Sequence, residues 1–123
     1  MIVLTASPAD GGRKAAIAFG VALAALAGGA EVWMFLSLES VTLGTPSGAR
    51  ESHPRGFSEP LSTYIEHFRE LGGRLEVCSS CYDEYCRELP KGTDGRPLLL
   101  AGTEVKSLGI VAERAREMPV LTF

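Results

Sequence analysis

The sequence has no face-wide cluster of Lys and Arg, no cysteine framework spread along its length and no apolar run long enough to cross a membrane. Twelve basic residues are scattered among fifteen acidic ones, for a net charge of −3. That leaves no electrostatic footprint for a nucleic acid. The three cysteines are an odd number and all fall between Cys78 and Cys86, which excludes a secreted disulfide scaffold and suggests a reducing, cytoplasmic setting. The most apolar stretch, Ala15 to Ala27, is shorter than the ~20 residues a spanning helix needs. Arg13-Lys14 before it imitates an export signal, but Met1–Thr5, Asp10 and a Gly-Gly turn come first, the wrong order for one. The reading is a buried helix of a soluble protein, with no membrane partner.

The 123 residues suffice for a single domain, 1–123, with one core. Met1–Thr5 and Val32–Leu36 are continuous apolar runs, as expected of parallel strands covered on both faces. Between them Asp10 is placed to cap a helix from Arg13 to about Ala27, stopped by Gly28-Gly29. That helix is apolar almost all round, so it needs cover on more than one side. In so short a chain the extra cover points to another subunit.

Ser37 to Ser58 reads as a long Gly/Ser/Pro-rich loop, of a kind usually tied to function. A second helix is expected over Glu59–Leu71 with Ser58 as its cap. Leu75–Cys78 is a third strand, followed by a helix capped by Ser79 or Ser80 and running to about Leu89. After the turn-rich Pro90–Pro97, Leu98–Leu100 fits a strand or a helical turn equally. Thr103–Lys106 is a fourth strand, Ser107 caps a helix through Glu117, and Pro119–Phe123 is the fifth strand. Regular alternation of strand and helix implies a parallel α/β sheet with helices on both faces, whose ligands sit beyond the strands' carboxyl ends.

Cys78 stands at such an end and begins a C-x-x-C with Cys81. A thiol pKa of about 8.5 falls to roughly 3.5–7.5 at helix N-termini or in C-x-x-C motifs, and the thiolate is the nucleophile. Asp83, Glu84 and Glu88 oppose that depression, so it is expected to be modest unless Arg87, or Arg50 or Arg55 from the long loop, lies over the site. Cys81 is close enough in sequence to resolve a modified Cys78. A thioredoxin-like dithiol is one reading of the pair, although that setting has its motif after the first core strand.

Cys78, Cys81 and Cys86 also offer three soft ligands, but a closed zinc site takes four, and Lys91 stands where the fourth is needed. No metal or other cofactor is therefore expected. His53 in the long loop and His67 on the second helix read as ordinary exposed residues. Gly11-Gly12-Arg13-Lys14 lacks the loop length and the Lys-Ser/Thr ending of a P-loop. Tyr82 and Tyr85 read as packing residues.

Several segments in order resemble the DsrE/DsrF-like sulfur-relay family, which includes the TusD- and YchN-type proteins. They are the first strand and turn, the Ala-rich helix leading into Gly29-Ala-Glu-Val-Trp-Met-Phe-Leu36, Ser40-Val-Thr-Leu43, Leu71-Gly-Gly-Arg-Leu-Glu-Val-Cys78, and the closing Thr103-Glu-Val with Val120-Leu-Thr-Phe123. The resemblance implies a Rossmann-like three-layer α/β/α domain with a mainly parallel five-stranded sheet. It also implies a cytoplasmic homo- or hetero-oligomer, with a homotrimer or homohexamer expected first, and a cysteine after the third strand that carries sulfane sulfur as a persulfide between donor and acceptor proteins with reactive thiols. Only Cys78 matches that position.

The function expected first is thus a sulfur carrier or sulfurtransferase. Cys78 is its nucleophile, Cys81 a second catalytic thiol, and Ser79 and Ser80 line the substrate sulfur at the helix start. The alternatives are a thiol-disulfide or redox-sensing protein using the Cys78/Cys81 pair, and a non-enzymatic oligomeric binding subunit whose thiols are incidental.

Overall fold

The structure is a computed structural model that describes residues 1–49 and 52–123. Five short strands form one sheet: β1 Ile2–Leu4, β2 Trp33–Leu36, β3 Arg74–Cys78, β4 Glu104–Lys106 and β5 Leu121–Thr122. Their order is β4-β3-β2-β1-β5, and every pairing is parallel. The expected α/β class and parallel five-stranded sheet are thus present. The chain steps outward from β1 to β4, then returns across the sheet to β5 on the far side of β1.

Four helices connect them: α1 Arg13–Ala27, α2 Leu61–Glu70, α3 Ser79–Tyr85 and α4 Gly109–Arg114. α1 and α2 pack together on one face, and α4 lies over the other, where its Arg114 reaches Glu76, the arrangement that right-handed crossovers produce for this strand order. The pleat agrees, since Ile2, Met34 and Leu75 share one face while Val3, Phe35 and Glu76 share the other. Facing α1 and α2, the core joins Leu4, Met34, Leu36 and Val77 to Ala15, Phe19, Ala22, Leu61, Ile65 and Phe68. Phe19 meets Phe68 edge to face at 5.5 Å, which fixes α1 against α2. Alanine along the inner side of α1 lets it lie close to the sheet. Ile17 and Val21 on its outer side are exposed, so this chain alone leaves the expected second cover unfilled.

The ends of α1 and α2 follow from local chemistry. Asp10 accepts from the N–H groups of Gly12 and Lys14, capping α1 from three residues before its start. Each helix closes in a Schellman turn: Ala30 N–H bonds to Ala25 O and Gly73 N–H to Phe68 O. The left-handed positions are Gly29 and Gly72, both at φ +90°, where a Cβ would be strained.

Several expected caps fall elsewhere. Ser58 does not cap α2; Pro60 holds the N-cap position, and the N–H of Leu61 is taken by the Ser52 carbonyl at 2.8 Å. Neither Ser79 nor Ser80 caps α3, because both already lie within the helix and the extended Cys78 holds the N-cap position. That helix ends at Tyr85, where Cys86 turns inward and is buried, so it does not reach Leu89. Ser107 supplies its carbonyl to Ile110 N–H, with Leu108 as the N-cap of a helix that stops at Arg114, short of Glu117. Leu98–Leu100 is neither strand nor helix; Leu98 and Leu100 N–H bond to Pro90 O and Gly44 O. The stretch expected to be loop after β2 carries a 3-10 helix, Leu38–Gly44, packed over β3 and α3.

On the α4 face Glu76 is buried within β3, and Arg114 meets it with both guanidinium nitrogens, Nη2 to Oε2 at 2.7 Å. Arg114 also lies over the Trp33 ring at 4.9 Å, with Arg74 5.2 Å from the same ring. One short helix is thereby fixed to the middle of the sheet. Removing one partner of a buried ion pair strands the other charge and costs about 3–5 kcal/mol, whereas replacing both by apolar side chains of similar volume is often neutral. Urea unfolding should therefore show Arg114→Ala losing several kcal/mol and the Glu76→Leu/Arg114→Met double variant far less. Equal losses would contradict this account of the pair.

Candidate functional site

β3 and α3 share no loop. Cys78 ends the strand, with φ −64° and ψ 125°, and serves as the N-cap of the helix. A side chain there faces the first free N–H groups of the helix, the position from which Ser, Thr, Asp or Asn ordinarily accepts hydrogen bonds. A thiolate can take the same role. The Sγ of Cys78 lies 3.4 Å from Ser80 Oγ, at the end of the helix where the first N–H groups, those of Ser80 and Cys81 among them, have no partner within the helix. Burial pushes the Cys78 thiol up, but these donors outweigh it and hold the thiol below its usual range. Arg87 takes no part, being paired with Glu84 at 2.6 Å. Arg55 is exposed in the loop, and Arg50 lies outside the described residues.

Cys78 is only 1% exposed. The accessible thiol that sulfur transfer requires is therefore not open on the surface of this single chain. Ser80 is exposed, and Ser79 and Cys81 are half-buried. Cys81 occupies the third position of α3, which turns it back toward the N-cap, and Ser37 Oγ lies 3.7 Å from its Sγ. Ser37 belongs to the carboxyl end of β2, so two neighbouring strand ends meet at the thiol pair. Leu38, the next residue, has a left-handed backbone at φ +54° and is half exposed, a strained conformation for a residue with a Cβ. Nothing in its sequence context foretold that conformation, and Ser37 was legible only as the start of a loop.

Cys86 stands apart in chemistry. It is fully buried in the core, where desolvation pushes its thiol up to about 11, and all three thiols are free. Tyr82 is buried as expected, its hydroxyl donating to Pro97 O and its ring under Arg96 at 5.1 Å, whereas Tyr85 is substantially exposed. His53 is exposed with Nε2 3.2 Å from Phe57 O, and His67 is exposed on α2. Among the described residues no three His, Cys, Asp or Glu side chains converge as metal ligands. Among the same residues no helix is long and apolar enough to cross a membrane.

The two shifted thiols make separable predictions. Alkylation of Cys78 should keep its rate to lower pH than an ordinary cysteine, and Ser80→Ala should move its profile upward. A Cys78 profile at or above the ordinary value would contradict the assignment. For Cys86 the folded value exceeds the unfolded one. The stability linked to it is thus full below the ordinary thiol value and falls as pH rises toward about 11. The slope is at most about 1.4 kcal/mol per pH unit. Cys86→Ala should remove that slope from alkaline unfolding curves, and a slope unchanged by the substitution would refute its origin.

The fold is shared with solved structures. The YchN protein of E. coli superposes with a TM-score of 0.73 at 21% identity, covering 99% of this chain and 96% of that one. A conserved protein of unknown function from Bacteroides thetaiotaomicron gives 0.62 at 14% identity, covering 99% and 93%. At these identities the likeness is one of fold. No curated protein matches the sequence. The model of the DsrE/DsrF-like family matches residues 1–123, the whole chain, and the protein belongs to that family.

Proposed function

We propose that this protein is a sulfur carrier or sulfurtransferase that accepts sulfane sulfur as a persulfide on Cys78 and passes it to a partner thiol. The single observation that carries the reading is the placement of Cys78 as the N-cap of α3, with its thiol held below the ordinary range by the Ser80 hydroxyl and helix N–H groups. A thiolate attacks the terminal sulfur of a donor, and the persulfide formed is in turn open to an acceptor thiol. The family membership supports the same role. Because Cys78 is covered in the single chain, both exchanges require the segments over it to yield. The candidates are the two-turn α3 and the 3-10 helix Leu38–Gly44 packed against it. Donor and acceptor are proteins or small molecules bearing reactive sulfur, and the cytoplasm is the reducing compartment in which free thiols persist.

The reading extends to a homotrimer or homohexamer. Ile17 and Val21 on α1 leave apolar surface uncovered, and Val21 borders a mostly apolar cleft of about 340 Å³ with Trp33, Met118 and Leu121. Sedimentation at micromolar concentration should show an oligomer; a stable monomer would refute this part.

For the chemistry, a Cys81→Ser protein exposed to inorganic polysulfide should gain sulfur that fragmentation mass spectrometry localises to Cys78. The same protein carrying Cys78→Ala should gain none. No adduct on Cys78, or an equal one without it, would overturn the proposed function.

A further inference from the structure

We propose that Cys81 discharges the Cys78 persulfide, releasing the sulfane sulfur as hydrosulfide and leaving a Cys78–Cys81 disulfide. This rests on the persulfide reading above and adds a reductive step to it. The N-cap and third positions of a helix face one another, which is why a capping side chain reaches back from one to the other. Here both positions are cysteines, Cys78 at the N-cap and Cys81 at the third position, so helix geometry sets the two thiols on the same side of the first turn. Residues three apart on a helix lie about 5–6 Å apart between Cβ atoms, and a disulfide draws that pair to roughly 3.5–4.5 Å, a small adjustment at a helix's first turn. Ser37 Oγ, 3.7 Å from Cys81 Sγ, is a polar neighbour for that thiol as it gives up its proton.

Access favours the internal thiol over an external one. Cys78 is 1% exposed, so a protein-borne acceptor must displace what covers it before it can attack. Cys81 needs no such displacement and gains the large effective concentration of a reacting group held in place. Cys86 cannot substitute, because it is buried in the core and stays protonated.

In the step itself, Cys81 Sγ attacks Cys78 Sγ, the inner sulfur of the persulfide. The Cys78–Cys81 bond forms as the bond from Cys78 to the outer sulfur breaks, and the electron pair leaves with that outer sulfur. The outer sulfur is reduced by two electrons and the two cysteines are oxidised by one each. The proton lost from Cys81 is available to the departing hydrosulfide. No outside oxidant enters, and an external dithiol resets the pair. The ligand class is therefore a reducible sulfane sulfur compound, and the protein divides its cargo between transfer and release as hydrosulfide.

The test uses the full chain without oxygen. Wild type, Cys81→Ser and Cys81→Ala are loaded with inorganic polysulfide, freed of donor by gel filtration, and followed for hydrosulfide release and by peptide mass spectrometry. Wild type should release one hydrosulfide per loaded chain as the Cys78–Cys81 disulfide appears. Both variants should keep their sulfur at least about tenfold longer. Retention in wild type as long as in the variants, or sulfur moving onto Cys81 without release, would overturn the discharge and leave the carrier reading intact. Failure of every protein to take up sulfur would overturn both.

Discussion

A strand and a helix that meet on one residue are the constraint on which the rest of this molecule depends. Because β3 gives way to α3 at Cys78 with no loop, that side chain must stand where the helix's unpaired N–H groups point. Nearly all that makes the thiol unusual follows from this placement: the donors that favour its anion, a second cysteine at the third helical position, and a neighbouring strand end whose Ser37 touches that second thiol. The same placement buries it. The lowered range of the thiol and its concealment therefore have one cause.

The junction holds its place because β3 lies between β2 and β4 and is fastened from above. Arg114 reaches from α4 to Glu76, two residues before Cys78 on the same face of the sheet, and is itself stacked on Trp33 of β2. Beneath, Val77 belongs to the core against α1 and α2. The reversal of strand order lies between β1 and β5, two strands from β3, so the site is not at the sheet's topological switch. It is made by a single strand end and its helix.

Much of this was legible in the sequence because the signals were local. Apolar runs marked the first two strands, Gly28-Gly29 and Gly72-Gly73 marked two helix ends, and C-x-x-C after a strand marked the thiol pair. The serines misled, since Ser58, Ser79, Ser80 and Ser107 each suit a cap and none is used as one. Their places are taken by carbonyls and by Cys78, which only tertiary packing decides. The pairing of Glu76 with Arg114 spans 38 residues and left no periodic trace. The 3-10 helix after β2 was hidden in a Gly/Ser/Pro-rich composition, and Leu38 shows none of the residue types that ordinarily mark a left-handed backbone. The burial of Cys78 was likewise invisible, because a strand-end cysteine reads the same whether covered or open.

The order of sulfur movement is measured most directly by a rapid-quench experiment in which the unmodified protein meets polysulfide labelled with a heavy sulfur isotope and the label is localised by fragmentation over time. Heavy sulfur should appear first on Cys78, followed by heavy hydrosulfide in solution. Heavy sulfur appearing first on Cys81 or Cys86 would contradict that order.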